Sequence, residues 1–256
     1  MMSPYEMKKE ICEIGRRLYA GGFVAADGGT ISVKAGPNDF YCAPAGVAKG
    51  FMTPDMVLRV DGDGKVLEGR MELPKEMLLH LQVYKLRGDV NAVILACPPT
   101  ATGFAAANVP LDKYMLPDAA MQLGSVPICT GEDGAGSLVS NIRGHEAFLL
   151  RERGALTLGE SLTKAFFTME TLEFNAKIAL ISRELSSEEE MPCDELMNLV
   201  ELRKRFQVPG KHAGCQKCAN LGTANCKCKE NAADAAAAGG DLVSSLTNMV
   251  LAEIVQ

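Results

Sequence analysis

Apolar positions along the chain change period several times, and each change marks an element. After Ser3-Pro4, the residues Met7, Ile11, Ile14 and Leu18 recur at helical spacing until Gly21-Gly22 closes the run. This predicts an amphipathic helix with a capping serine and an early proline. TISVKA (30–35) and DFYCAPAG (39–46) read as strands, and VLRVDGDGKVLEG (57–69) predicts a hairpin around Asp61-Gly62-Asp63-Gly64. KEMLLHLQVYKLRG (75–88) returns to the helical period. A buried strand spans 91–97 with Val93, Ile94 and Leu95 at its centre. Pro98-Pro99 stops it, and small residues with Phe104 then follow at helical spacing. SVPICT (125–130) predicts a strand and GSLVSNI (136–142) the start of a helix. EAFLLRERGALTLGE (146–160) predicts two strands around the turn Arg151 to Gly154. A long helix follows over 161–185 and a last one over about 194–206. Helices and strands alternate, which predicts an α/β layered fold.

Composition narrows the partners. The 256 residues are 47% hydrophobic, enough for a sizeable core. A net charge of -6 without a compensating basic stripe argues against nucleic acid. The first residues are amphipathic, carry acidic groups and lack an apolar h-region, so they do not read as a signal peptide. No apolar run is long enough to span a bilayer, so the expected compartment is the cytoplasm. Nine cysteines are many for a reduced chain, and four of them lie between Cys215 and Cys228. After Phe206 the composition shifts. The expected organisation is a domain over 1–206, a Cys-rich and Ala/Gly linker over 207–240, and an amphipathic C-terminal helix over 241–256.

Several segments occur in a telling order: GGTISVK, APAG, DGDGKVLEG, PKEMLLHLQVYKLRGDVNAVI, CPP and RGALTLGESLTKAFFTMETLEFNAKI. On these, residues 5 to about 206 resemble the class II aldolase/adducin family, which includes L-fuculose-phosphate and L-rhamnulose-phosphate aldolases. The resemblance implies a layered fold with a central, mostly antiparallel sheet flanked by helices, plus a flexible C-terminal extension. It also implies a homotetramer with active sites at subunit interfaces. The family reaction cleaves a sugar phosphate to dihydroxyacetone phosphate and an aldehyde, with a zinc ion on three histidines polarising the carbonyl. Two of those histidines match Leu95 and Cys97, and the third matches Arg153. Leucine has no lone pair to give, and arginine stays protonated. His80, His145 and His212 fall on none of the ligand positions, so no cofactor is expected in this pocket. Glu76 matches the family's acid/base glutamate, and Tyr114 a tyrosine that donates a proton across the interface. The phosphate-binding loops correspond to Gly29-Thr30, Ala45-Gly46 and Pro74-Lys75, where hydroxyl donors are lost at two places. Lys75 and backbone amides remain to hold an anion.

Each of these residues also has a plain structural role open to it. Glu76 suits a helix start, Tyr114 an interface anchor, Cys97 a small core position, His80 a satisfied buried site and His145 a loop or cap. Charge logic further predicts that Arg153 pairs with Glu76 in a pocket that has lost its cation. Three functions fit: a non-catalytic scaffold or partner protein, which is favoured, a lyase with another electrophile such as Arg153 or Lys75, or a sugar-phosphate sensor. Cys215, Cys218, Cys226 and Cys228, with His212 nearby, could hold zinc or an iron–sulfur cluster, or form a plain linker. The tail places Leu242, Val243, Leu246, Met249, Val250 and Ile254 at helical spacing behind Asp241. It resembles the C-terminal encapsulation peptides of bacterial microcompartments, which implies a shell or cargo partner. A helix docked on the tetramer is the alternative. The long helix 161–185 carries more apolar surface than one face needs, so part of it is expected to meet other helices or another subunit.

Overall fold

In a computed structural model, residues 2–113, 115–130, 138, 141–185 and 191–208 are described. Helix α1 spans Pro4–Ala20 and opens on a reciprocal cap. The Ser3 amide donates to Glu6 Oε2 at 2.7 Å, and the Glu6 amide donates to Ser3 Oγ at 3.3 Å. Strands β1 (Thr30–Gly36), β2 (Asp39–Cys42), β3 (Leu58–Val60) and β4 (Val66–Glu68) follow. The β3–β4 turn is fixed by Asp61, whose Oδ1 accepts from the amides of Asp63 and Lys65 at 3.0 and 2.9 Å. Helix α2 covers Met77–Leu86, β5 Ala92–Ala96 and α3 Pro99–Ala106. The chain then builds β6 (Ile128–Cys129), β7 (Ala147–Leu150), β8 (Gly154–Gly159), α4 (Leu162–Glu184) and α5 (Cys193–Arg205).

All eight strands join one sheet in the order β4-β3-β2-β1-β5-β8-β7-β6. Every neighbouring pair is antiparallel except β6 with β7, so the expected layered, mostly antiparallel architecture is the one observed. Period-two alternation sorts side chains between two cores. Ala92, Ile94 and Ala96 face a core shared with α1, α3 and α4, while Val93 and Leu95 face a second core under α2. Arg87, just after α2, ties that core to β7. Its guanidinium donates to Asp89 and Glu146 carboxylates and to the carbonyls of Ile142 and His145.

Some expectations are revised. The strand predicted over 125–130 shortens to two residues, because Pro127 has no amide to offer a ladder. A π-helical turn at Ala119–Leu123 precedes it and was not foreseen, nor was the 3-10 turn Lys49–Phe51. The helix start predicted over 136–142 falls mostly outside the described residues, and a 3-10 turn spans Ile142–Gly144. Helix α4 does carry surplus apolar surface. Ala165, Met169, Leu172 and Ala176 are buried, while Phe167, Phe174, Leu180 and Ile181 are exposed.

His80 lies in the second core, fully buried. Its Nδ1 is 2.8 Å from Ser32 Oγ, which is 2.8 Å from the Tyr84 hydroxyl, but its buried Nε2 has no partner. The residue is structural, as expected, yet only half satisfied. Burial pulls its pKa down from 6.5 to about 3. The unfolded imidazole therefore takes up a proton that the folded one refuses, and stability is lost as the pH falls between those values. The expected contribution is about 1.4 kcal/mol per pH unit. Urea unfolding of wild type and His80→Gln from pH 6 to pH 4 should differ in slope by that amount. Parallel profiles would contradict it.

Candidate functional site

The end of β5, the start of α2, the loops before β1 and after β2, and the β7–β8 turn converge on a cavity of about 690 Å³. Gly29, Thr30, Ala45 and Lys75 line it, and so do Glu76, Leu95, Cys97 and Arg153. The residues singled out from sequence are thus brought together in space. Gly46 sits beside Ala45, exposed and outside the lining. Tyr114, His212, Cys215, Cys218, Cys226 and Cys228 lie outside the described residues.

The two glycine loops take conformations that suit glycine. Gly29 has φ +81° and Gly46 φ +68°. A Cβ at Gly29 would also stand 2.6 Å from Val24 Cγ1. Between these loops lies a cation that the sequence reading missed. Lys49 is 1% exposed, and its Nζ donates to the carbonyls of Asp27, Pro44 and Val47 at 2.7, 3.0 and 3.0 Å. All three N–H groups of the ammonium are used, so it ties the cavity wall together and has no lone pair to offer as a nucleophile. Burial pushes its pKa down, and the Asp27 and Glu76 carboxylates push it back up. A lysine three residues after Gly46 looks like surface in one dimension, and only the glycine loops around it hint that it turns inward.

Glu76 is half-buried at the N-cap position just before α2, and its carboxylate makes no capping hydrogen bond. The expected pair with Arg153 does not form: no ion pair within 4.0 Å joins them among the described residues. Arg153 is exposed on a turn, where water screens its pull on a carboxylate. Cys97 is not the core residue its strand position suggested. β5 ends one residue earlier, and Cys97 is exposed in the cavity with its Sγ donating to the Arg153 carbonyl at 3.4 Å. The surrounding wall pushes the thiol up, away from thiolate. Leu95 is 4% exposed and belongs to the second core. His145 ends the 3-10 turn, with Nδ1 2.9 Å from the Asn141 carbonyl, in the cap role expected of it.

The zinc implied by the resemblance can be tested against this donor set. Leu95 offers hydrocarbon, Arg153 offers a cation, and Cys97 offers one protonated thiol. Among the described residues no three His, Cys, Asp or Glu side chains form a metal-holding group. The residues present do not fit a zinc ion here.

Comparison with known proteins bears on the whole domain. A profile of the Class II Aldolase and Adducin N-terminal domain matches residues 9–180. The chain belongs to the class II aldolase and adducin family. L-fuculose phosphate aldolase of Methanocaldococcus jannaschii is 30% identical over 178 residues, covering 68% of this chain and 96% of that protein. 3-oxo-tetronate 4-phosphate decarboxylase of Escherichia coli is 28% identical over 188 residues, covering 68% and 86%. The crystal structure of L-fuculose-1-phosphate aldolase from Thermus thermophilus superposes with a TM-score of 0.61 at 28% identity, covering 73% of this chain and 98% of that one.

Lys49 gives the cavity wall a measurable dependence. Lys49→Met fills the same space but leaves the buried Pro44 carbonyl and the part-buried carbonyls of Asp27 and Val47 without the ammonium donor. The expected loss is about 2 kcal/mol in urea unfolding. A loss below about 1 kcal/mol would show that the ammonium is not what holds the loops.

Proposed function

We propose that this class II aldolase-fold protein of sugar-phosphate metabolism does not carry out the family's zinc-dependent retro-aldol cleavage. It serves instead as a scaffold or partner protein, cytoplasmic and associated with a bacterial microcompartment. One observation supports this above others. Leu95, Cys97 and Arg153 meet in a single cavity, where their side chains make an incompatible ligand set. Carbonyl polarisation then lacks its electrophile, and Lys49, with all three N–H groups engaged, supplies no Schiff base.

The tail 241–256 is the encapsulation-type address in this reading, and a shell or cargo protein is its partner. Cys215, Cys218, Cys226 and Cys228 form a separate candidate site for zinc or an iron–sulfur cluster. The body is assigned a homotetramer. Leu67, Met71 and Leu78 are exposed near the cavity, and Leu78 lines it, which fits a subunit contact beside the pocket.

A sugar-phosphate sensor is the second reading. The cavity itself favours it, since Lys75, Arg153 and the Gly28-Gly29 loop still face a volume suited to a small phosphorylated molecule.

The deciding experiment pairs metal analysis with retro-aldol assays on L-fuculose 1-phosphate and L-rhamnulose 1-phosphate. Wild type is expected to show no turnover with added zinc. The triple variant L95H/C97H/R153H is expected to bind one more zinc per chain than wild type. Turnover by wild type would establish a lyase with another electrophile and overturn the proposal. For the address, residues 241–256 fused to a fluorescent protein should give puncta in cells making shells. Diffuse fluorescence there, with the untagged body still co-purifying with shells, would remove the tail from this role.

A further inference from the structure

Helix α4 is apolar on two opposite sides. Its inward side is consumed by the first core. Outward, Phe167, Thr171, Phe174, Ile178, Ile181 and Leu185 follow one another in alternating steps of four and three. That rhythm is the 3.5-residue seam of a helix that expects another helix against it. Phe167 is 45% exposed, Phe174 58%, Ile181 50% and Leu185 75%. Single outward apolar residues need no explanation, but four on one line do. A groove of about 360 Å³ runs beside the seam, with Thr171, Phe174 and the charged Glu170, Glu173 and Lys177 of α4 on one wall, Asp118 and Gln122 at the π-helical turn on the other, and Phe23 also lining it.

We infer that the chain's own segment 241–256 lies as a helix along this seam. This deepens the reading of the tail as an address, since the seam would hold the tail until a partner takes it. Three observations favour this occupant. Leu242, Leu246 and Met249 repeat the same steps of four and three. The lengths agree, since the seam from Phe167 to Leu185 runs about 27 Å and a helix over 241–256 about 24 Å. The chain also departs from the right place. Helix α5 is anchored on the groove's far wall, where Arg203 Nη1 donates to the carbonyls of Ala120 and Met121. From Val208, a flexible tether as long as the 32 residues 209–240 would span about 30 Å, comparable with the length of the seam. A tether of that length also sets an effective concentration near the millimolar range, which a second copy in dilute solution does not match.

Hydrogen exchange on the full-length chain at low micromolar concentration tests this without any shell. Peptides covering 241–256 are expected to exchange at least ten-fold slower than unstructured chain. Phe174→Asp with Ile181→Asp should release them. L246D/V250D should release them too and, without touching the body, speed exchange in 167–185. This second variant decides the matter should the first disturb folding. Tail peptides exchanging as unstructured chain in wild type would overturn the inference, as would protection that survives Phe174→Asp with Ile181→Asp in a folded body. Protection lost on dilution would assign the seam to a second copy and overturn it equally. Because no shell is involved, failure here leaves the address reading standing, and failure of the shell experiment leaves this one standing.

Discussion

The antiparallel pairing of β5 with β8 constrains both cores and the cavity at once. It runs from Ala92 opposite Gly159 to Ala96 opposite Ala155, and every residue of both strands is buried. A strand buried on two faces has one acceptable register, since a slip of one residue exchanges its two sets of side chains. That register then places the site. Leu95 and Cys97 share a face by alternation, and the β7–β8 turn is drawn against the end of β5. Gly154 has φ +95°, and a Cβ there would collide with the Ala96 carbonyl. No other residue lets the turn come so close, and the closeness is what brings the Arg153 carbonyl within reach of Cys97.

Charge in the cavity is organised by depth. Lys49 is buried with three carbonyl acceptors, so its charge is held in a medium where it is felt strongly. Arg153 and Lys75 are exposed, where water weakens a contact at 4 Å to about 1 kcal/mol. The half-buried Glu76 is one of the carboxylates that favour the charged form of the deep cation. A fixed internal ammonium needs no ligand set of its own, and it holds the walls of a cavity that can persist whether or not chemistry takes place inside it.

Much of this was legible in the sequence, for reasons that differ by element. Helix α1 announced itself through Ser3, Pro4 and Glu6, and the β3–β4 turn through Asp61, because caps and tight turns are local. The cavity residues were legible only through the ordered family segments; spacing alone would not have joined Glu76 to Arg153. What stayed hidden depends on contacts distant in sequence. The π-helical turn at Ala119–Leu123 packs between α4 and α5, and no local signal selects a π turn over an ordinary one. Lys49 turns inward because the carbonyl of Asp27, from the distant loop before β1, joins those of Pro44 and Val47 in its own loop around the ammonium. Cys97 was misplaced by a single residue at a strand end, where boundaries are least certain.

Leu95, Cys97 and Arg153, the positions the resemblance matches to metal ligands, each suit their depth in the protein. Leu95 stands on a strand whose neighbours Val93, Leu156 and Leu158 already form the second core, and at 4% exposure it has joined them. An apolar side chain at that position needs neither a metal nor a hydrogen bond, and its burial is favourable by about 2 kcal/mol. Arg153 sits on an exposed turn, where a charge stays hydrated at little cost. Cys97 keeps a hydrogen bond to the neighbouring carbonyl and needs nothing else. Each side chain is compatible with its local surroundings, so none of the three disturbs the β5–β8 pairing that shapes the cavity.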